Sequence, residues 1–281
     1  MANLAEFLDK LPILLVGFLM LATMTLTATA GYVLRQRVRR LLTHKGATEE
    51  NGAEGYIVSA VIGLVALLLG FTFALAVGRF ETRRALVLQE ANAIGTSYLR
   101  VQGLPEPHRT RMSQILVNYT NNRVELGMAR PDKMAPLIVA SDRLLVELWA
   151  GTLAATDAIG NSALASSLHS TVNEVIDMDS ARKAARKVRV PGEVFLALWV
   201  YIAVTAGMLG YARSETQGRM LAGILFLLFT MSYMLIIDID RPAGGNIVES
   251  QGPMIELRET LKQQPPGTFD IWRKPVVEPA P

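Results

Sequence analysis

Four uninterrupted apolar runs, at residues 11–34, 56–78, 192–212 and 220–237, constrain this chain more than any other feature. A helix needs about 20 apolar residues to cross a bilayer core, and Glu193, at the start of the third run, is the only charged residue in the four. A backbone in lipid must satisfy its own N–H and C=O groups, so runs of this length are helices. We therefore expect an all-α, multi-pass membrane protein with four transmembrane helices. The first run competes with a signal peptide, because "TATA" at 27–30 resembles a small-residue cleavage site. Against that reading, Glu6 and Asp9 outnumber Lys10 ahead of the run and "RQRVRR" follows it, whereas a signal peptide opens on a basic segment. We expect the first helix to be retained.

Residues 79–191 are polar enough to be wet. Val87, Ala91, Ile94, Tyr98 and Val101 recur at helical spacing, so the second membrane helix is expected to continue into water as a helix. "LPEPH" at 104–108 breaks it, since each Pro disfavours helix in the residue before it. A second helix of about 107–128 carries Met112, Leu116, Tyr119 and Leu126. After "RPDK" a third carries Ile138, Leu145, Leu148 and Trp149. Gly160-Asn161 reads as a stop, and a fourth helix carries Leu164, Leu168, Val172 and Val175. Four amphipathic helices on short connectors predict an antiparallel bundle. The expected organisation is a first membrane pair in 1–78, the bundle in 79–191, a second membrane pair in 192–240, and a C-terminal segment 241–281. The last ten or so residues of that segment, ending "KPVVEPAP", are expected to lack fixed structure.

The search for chemistry is mostly negative. There is no cysteine, hence no thiolate metal site. His44, His108 and His169 have no helical partner histidine, and no Glu-x-x-His pair supports a di-iron site. No phosphate loop, serine elbow or zinc spacing occurs. We expect no catalytic residue, metal or cofactor, and no enzyme. A formal charge of +3 is too small to suggest nucleic acid. The basic residues sit near membrane ends, where the bilayer is their expected partner.

Those charges leave the side of the bundle contested. Arg35, Arg37, Arg39, Arg40 and Lys45 follow the first run, and Arg213 and Arg219 sit in the turn between the last two. Against them stand Arg79, Arg83, Arg84, Arg182, Lys183, Arg186, Lys187 and Arg189 flanking the bundle, with Lys10 and Arg241 on the same side. The larger second set favours a cytoplasmic bundle.

Along the second membrane helix Ser59, Gly63, Ala66, Gly70, Ala74 and Gly78 form a stripe of small residues on one face. Small residues let helix backbones approach closely in lipid. Either the stripe packs inside one subunit, or copies of this helix pack about a shared axis. Leu67 and Phe71 lie beside it and would narrow an axial passage, where apolar constrictions gate by dewetting. Leu69, off the stripe, is expected to face lipid. Arg79, Arg83 and Arg84 mark the charged exit. They either raise the local anion concentration, or anchor to headgroups and pair with Glu81 and neighbouring helices.

The stretch "LLGFTFALAVGRFETRRALVLQEAN" resembles the neck segment of bestrophins: Gly70-Phe71, then Arg79-Phe80, Arg84 and Asn92. "DIDRPAGGNI" resembles the acidic, Pro- and Gly-containing segment after their last membrane helix, here Asp238, Asp240, Arg241 and Pro242. With Glu90, "EANAIGTSYLR", "LPEPHR" and "DIDRP" resemble more closely a bacterial and plastid bestrophin-like family of undefined function. The resemblance implies a homo-oligomeric, pentameric anion channel of the bacterial inner membrane, its neck positions falling on Gly63, Leu67 and Phe71. Gly63 stands where bestrophins have a bulky apolar residue. Their acidic calcium cluster is reduced to Asp238, Asp240 and distant Glu249, and their basic residues precede the first helix rather than follow it. The alternative is a membrane-anchored helical interaction or sensing module without transport.

Overall fold

The computed structural model describes residues 11–43, 53–159, 161–212, 216–243 and 245–272, and the regular elements among them are all helical. In chain order they are α1 Ile13–Thr43, α2 Ala53–Val101, α3 His108–Met128, α4 Met134–Ala158, α5 Ser162–Lys187, α6 Gly192–Ala212, α7 Thr216–Asp240 and α8 Gly252–Gln263. Single 3-10 turns occur at Pro131–Lys133 and Asp270–Trp272. Glu6, Asp9, Lys10, His44, Lys45, Gly160, Arg213 and the "KPVVEPAP" tail lie outside the described residues.

The chain divides into two compact units, Met1–Phe80 with Val188–Val248, and Glu81–Lys187 with Glu249–Pro281. α2 contributes its apolar part to the first and its polar part to the second. The C-terminal segment, read from sequence as one piece, is shared between them.

The first unit holds four helices long and apolar enough to cross a membrane, and the protein is a multi-pass membrane protein. Its core is built from Val16, Met20 and Met24 of α1, Val65 and Leu69 of α2, Ile202 and Ala206 of α6, and Tyr233 and Ile236 of α7. Burying apolar surface gives little drive between helices in lipid, so close packing and polar bonds must hold them. The close approach is between α1 and α6. A methyl group added to Gly31 would run into the Gly207 carbonyl oxygen, and one on Gly210 into that of Ala28. Arg35 then closes the end of α6, its Nη1 donating to the carbonyls of Tyr211 (2.9 Å) and Ala212 (2.6 Å). Terminal carbonyls of a helix lack intrahelical donors and carry its negative partial charge, so a guanidinium there is doubly favourable. Arg35 was counted above among the charges that set sidedness; it is buried and committed to this cap.

In the second unit the positions read from periodicity are the core: Val87, Ile94 and Tyr98 of α2, Met112, Leu116 and Tyr119 of α3, Leu148 of α4, and Leu168, Val172 and Val175 of α5. A fifth helix joins the four expected. α8 buries Met254 and Leu261 in the same core, and beyond its end Tyr98 Oη donates to the Gln264 carbonyl at 2.6 Å.

The α1–α6 crossing leaves no room at Gly210. Gly210→Ala should therefore lower the unfolding free energy in detergent by about 1–3 kcal/mol. Gly63→Ala, where an added methyl meets nothing, should leave stability unchanged or slightly raised, because alanine is the better helix former. Thermal unfolding of the two variants beside wild type is the check.

Candidate functional site

α2 has a buried face and an exposed face that persist along its whole length. Val58, Val65, Leu69, Thr72, Ala76, Arg83, Val87, Glu90, Ile94 and Val101 are buried and follow one another at helical spacing. Opposite them Ser59, Gly63, Ala66, Gly70, Ala74, Gly78, Glu81, Leu88, Asn92 and Leu99 are exposed. A methyl group added at Gly63, Gly70 or Gly78 meets no atom within 4 Å, and Ala66 and Gly70 border a groove whose other wall is α7. Leu67 and Phe71 lie on the same side, 53% and 61% exposed. Leu69 corrects the expectation made for it. It is buried in the core rather than turned to lipid, because it packs with Val65 on the side of α2 that joins the membrane-unit core.

The charged exit separates into three environments. Arg84 is exposed and approaches Glu81, one turn away, at 3.4 Å. Arg79 is half-buried. Arg83 is buried and ion-paired through Nε with Glu249, also buried. Arg83 is therefore no exit charge: the segment leading into α8 brings a carboxylate to it, and the pair cancels.

Beyond the apolar stretch of α2, Glu90 is fully buried at the centre of a polar network. Tyr119 Oη donates to its Oε1 at 2.8 Å, Arg123 Nη2 to its Oε2 at 3.1 Å, and Arg182 Nη1 also to Oε2. Arg123 Nη1 reaches Asp179 Oδ1 at 3.1 Å, and its guanidinium lies 5.8 Å from the Tyr119 ring centre. Lys183 pairs with Asp179 and Asp142. Arg182 Nη2 lies 3.4 Å from Gln251 Oε1, so α2, α3, α5 and the start of α8 meet around one carboxylate. Of this network only Glu90 was singled out from sequence. Its partners were unrecognised because Arg182 and Lys183 read as membrane-end charges; the available signal was the Asp179–Arg182–Lys183 spacing, which puts opposite charges on one helix face.

The "DIDRP" motif is structural. Asp240 accepts from the Val190 amide, ahead of α6, at 3.1 Å and 3.3 Å. Asp238 accepts from the Asn246 amide at 2.9 Å, and Arg241 Nη2 donates to the Leu11 carbonyl at 2.9 Å. Pro242 follows where α7 has ended. Among the described residues no group of three or more His, Asp or Glu is placed to hold a metal ion.

Comparison with known families matches a bestrophin-like domain over residues 13–251. The chain belongs to the bestrophin-like family. No curated protein matches it. Among solved structures it is similar to a bacterial bestrophin homologue from Klebsiella pneumoniae, with TM-score 0.62 and 16% identity over 88% of this chain and 96% of that one. A point variant of the Klebsiella homologue gives TM-score 0.64 and 16% identity, over 87% and 96%. A further structure, described only as a variant membrane protein, gives 0.65 and 14%, over 88% and 97%. The likeness is one of fold.

In this bestrophin-like chain the electrostatics of Glu90 follow from its neighbours. Burial alone would raise the carboxyl; the Arg123 and Arg182 charges, with hydrogen bonds from Arg182 and Tyr119, outweigh it and hold the group below its ordinary value. Burial, then the Glu90 charge, push the Tyr119 phenol well up, which keeps it a neutral donor. Burial and the neighbouring Arg182 and Arg123 charges bring Arg186 down to about 10.

A carboxylate whose folded value is depressed stabilises fully above its unfolded value, and that contribution disappears as pH falls through the folded one. Bundle stability should therefore decline on acidification below roughly pH 4. Glu90→Gln should flatten part of that decline. At neutral pH it should cost about 3–5 kcal/mol, since two guanidiniums lose their buried partner. Unfolding followed between pH 3 and 7 in both proteins is the measurement.

Proposed function

We propose that this chain is one subunit of a homo-oligomeric ion channel of the bacterial inner membrane, in which copies of α2 surround a common axis. One observation carries the reading: in its apolar part the exposed side of α2 bears Ser59, Gly63, Ala66, Gly70 and Ala74 at helical spacing, and a methyl group added at Gly63 or Gly70 meets no atom within 4 Å. Membership of the bestrophin-like family supports it. Small side chains let several helices approach an axis, and Leu67 and Phe71, flanking them, form the apolar constriction. Gly63 contributes no side chain, so the neck has one ring fewer than its resemblance to bestrophins implies. Arg79 and Arg84, just past the apolar stretch, attract anions to the mouth; Arg83 does not, being neutralised by Glu249. The bundle is cytoplasmic in this reading.

Gly70→Leu tests the assembly. An added Cβ meets nothing within 4 Å, so the subunit should keep its unfolding temperature while the oligomer dissociates or changes size in detergent. An intact ring of wild-type stoichiometry would remove α2 from the interface.

Conduction is tested by flux into liposomes. Phe71→Ala should widen and wet the constriction and raise flux several-fold. Arg79→Ala with Arg84→Ala should reduce the preference for chloride over potassium without abolishing flux, and the difference should shrink at high salt, which screens such charges within about 8 Å at physiological strength. If wild type and Phe71→Ala are both silent to chloride, nitrate and potassium with the oligomer intact, the channel reading fails and an interaction module replaces it.

A further inference from the structure

A crevice of about 470 Å³ opens between α1, α6 and α7, lined among others by Thr25, Thr29, Tyr32, Arg219, Gly223 and Phe226. No residue of α2 contributes to it, so it is separate from the face assigned to conduction. We propose that it is a binding site for an acidic phospholipid, with the hydrocarbon chain in the crevice and the headgroup at its basic mouth.

The polarity along the crevice fits such a molecule. The threonines offer no free donor: Thr25 Oγ1 donates to the Leu21 carbonyl at 2.8 Å and Thr29 Oγ1 to that of Thr25 at 2.7 Å. With Phe226 and Leu209, they leave the inner part apolar. Gly223 contributes no side chain to narrow it. The polar lining residues, Tyr32 and Arg219, lie at one end. Tyr32 is the lining residue of α1 nearest its C-terminus, and Arg219 lies in the first turn of α7, so both sit where the helices leave their apolar stretches.

Positive charge continues beyond that end. Arg37, Arg39 and Arg40 are exposed, and Arg39 follows Tyr32 by two turns on the same face of α1. A slot that is apolar within and cationic at its mouth complements one anionic headgroup on a hydrocarbon chain, and the surrounding bilayer supplies that ligand. Basic pockets between membrane helices bind acidic headgroups in this way. A zwitterionic headgroup presents the same phosphate with its own cation attached, and so gains less from the field.

The test uses the purified full-length protein in detergent. Native mass spectrometry would measure retained phosphatidylglycerol and phosphatidylcholine of identical chains. Phosphatidylglycerol should be retained several-fold more. Arg219→Gln should bring it down to the phosphatidylcholine level, leaving phosphatidylcholine itself unchanged. Gly223→Phe should reduce both lipids. An added Cβ at Gly223 meets nothing within 4 Å, and an unchanged lipid-free unfolding temperature would confirm that the variant folds. Inorganic phosphate should not displace the lipid. Equal retention of the two lipids by wild type, or phosphatidylglycerol retention unchanged in both variants, overturns the site. Loss in the Gly223 variant alone overturns the acidic preference, and displacement by phosphate overturns the lipid as ligand.

Discussion

The absence of any proline between Ala53 and Val101 is the constraint on which the rest depends. A single helix must satisfy two solvents, and it does so by keeping one buried face in register from end to end. Val65 and Leu69 on that face meet apolar neighbours in the first unit; Val87, Ile94 and Tyr98 meet apolar neighbours in the second. An exposed face opposite the buried one follows by geometry. Its composition does not follow. In the apolar part it carries glycine, alanine and serine at helical spacing, flanked by the exposed Leu67 and Phe71, and that stripe makes the face informative.

Glycine has two uses in the membrane unit, and they differ in physical kind. At Gly31 and Gly210 the facing backbones of α6 and α1 already occupy the space a side chain would need, so these residues are fixed by packing in the single chain. At Gly63, Gly70 and Gly78 the space is empty. Helix propensity disfavours glycine at such positions by about 1 kcal/mol relative to alanine. Another helix backbone closing on that face would offset the cost.

The apolar runs and the bundle's core positions were legible in sequence because each rests on periodicity or run length, which are local. Val87, Met112, Leu148 and Val172 stood on the buried faces assigned to them. The direction of the α2 stripe was not legible, since small residues at helical spacing signal close approach without saying whose backbone approaches. The α1–α6 crossing has the same chemistry and went unnoticed in "ATAG" and "AGMLG". α8 was hidden for another reason: twelve residues behind a Gly- and Pro-containing segment give too short a pattern to distinguish from a tail, and its place depends on Met254 and Leu261 finding a core made by other helices.

Charges were the least legible feature, because sequence gives their number and not their commitments. Arg35 caps α6, Arg83 meets Glu249, Arg182 meets Glu90, and Arg241 holds the Leu11 carbonyl. All four are buried and unavailable to headgroups, yet each entered the tally that weighs one side of the membrane against the other. The positive-inside rule concerns loop charges that resist translocation, and an arginine engaged by carboxylate or carbonyl in the folded state was still free when the chain was inserted. The buried arginines therefore bear on sidedness through the nascent chain alone. The exposed ones, Arg37, Arg39 and Arg40 at one end and Arg84 at the end of the α2 apolar stretch, also act on the finished protein. Exposed at the ends of the apolar stretches, they stand where charged side chains meet water and headgroups.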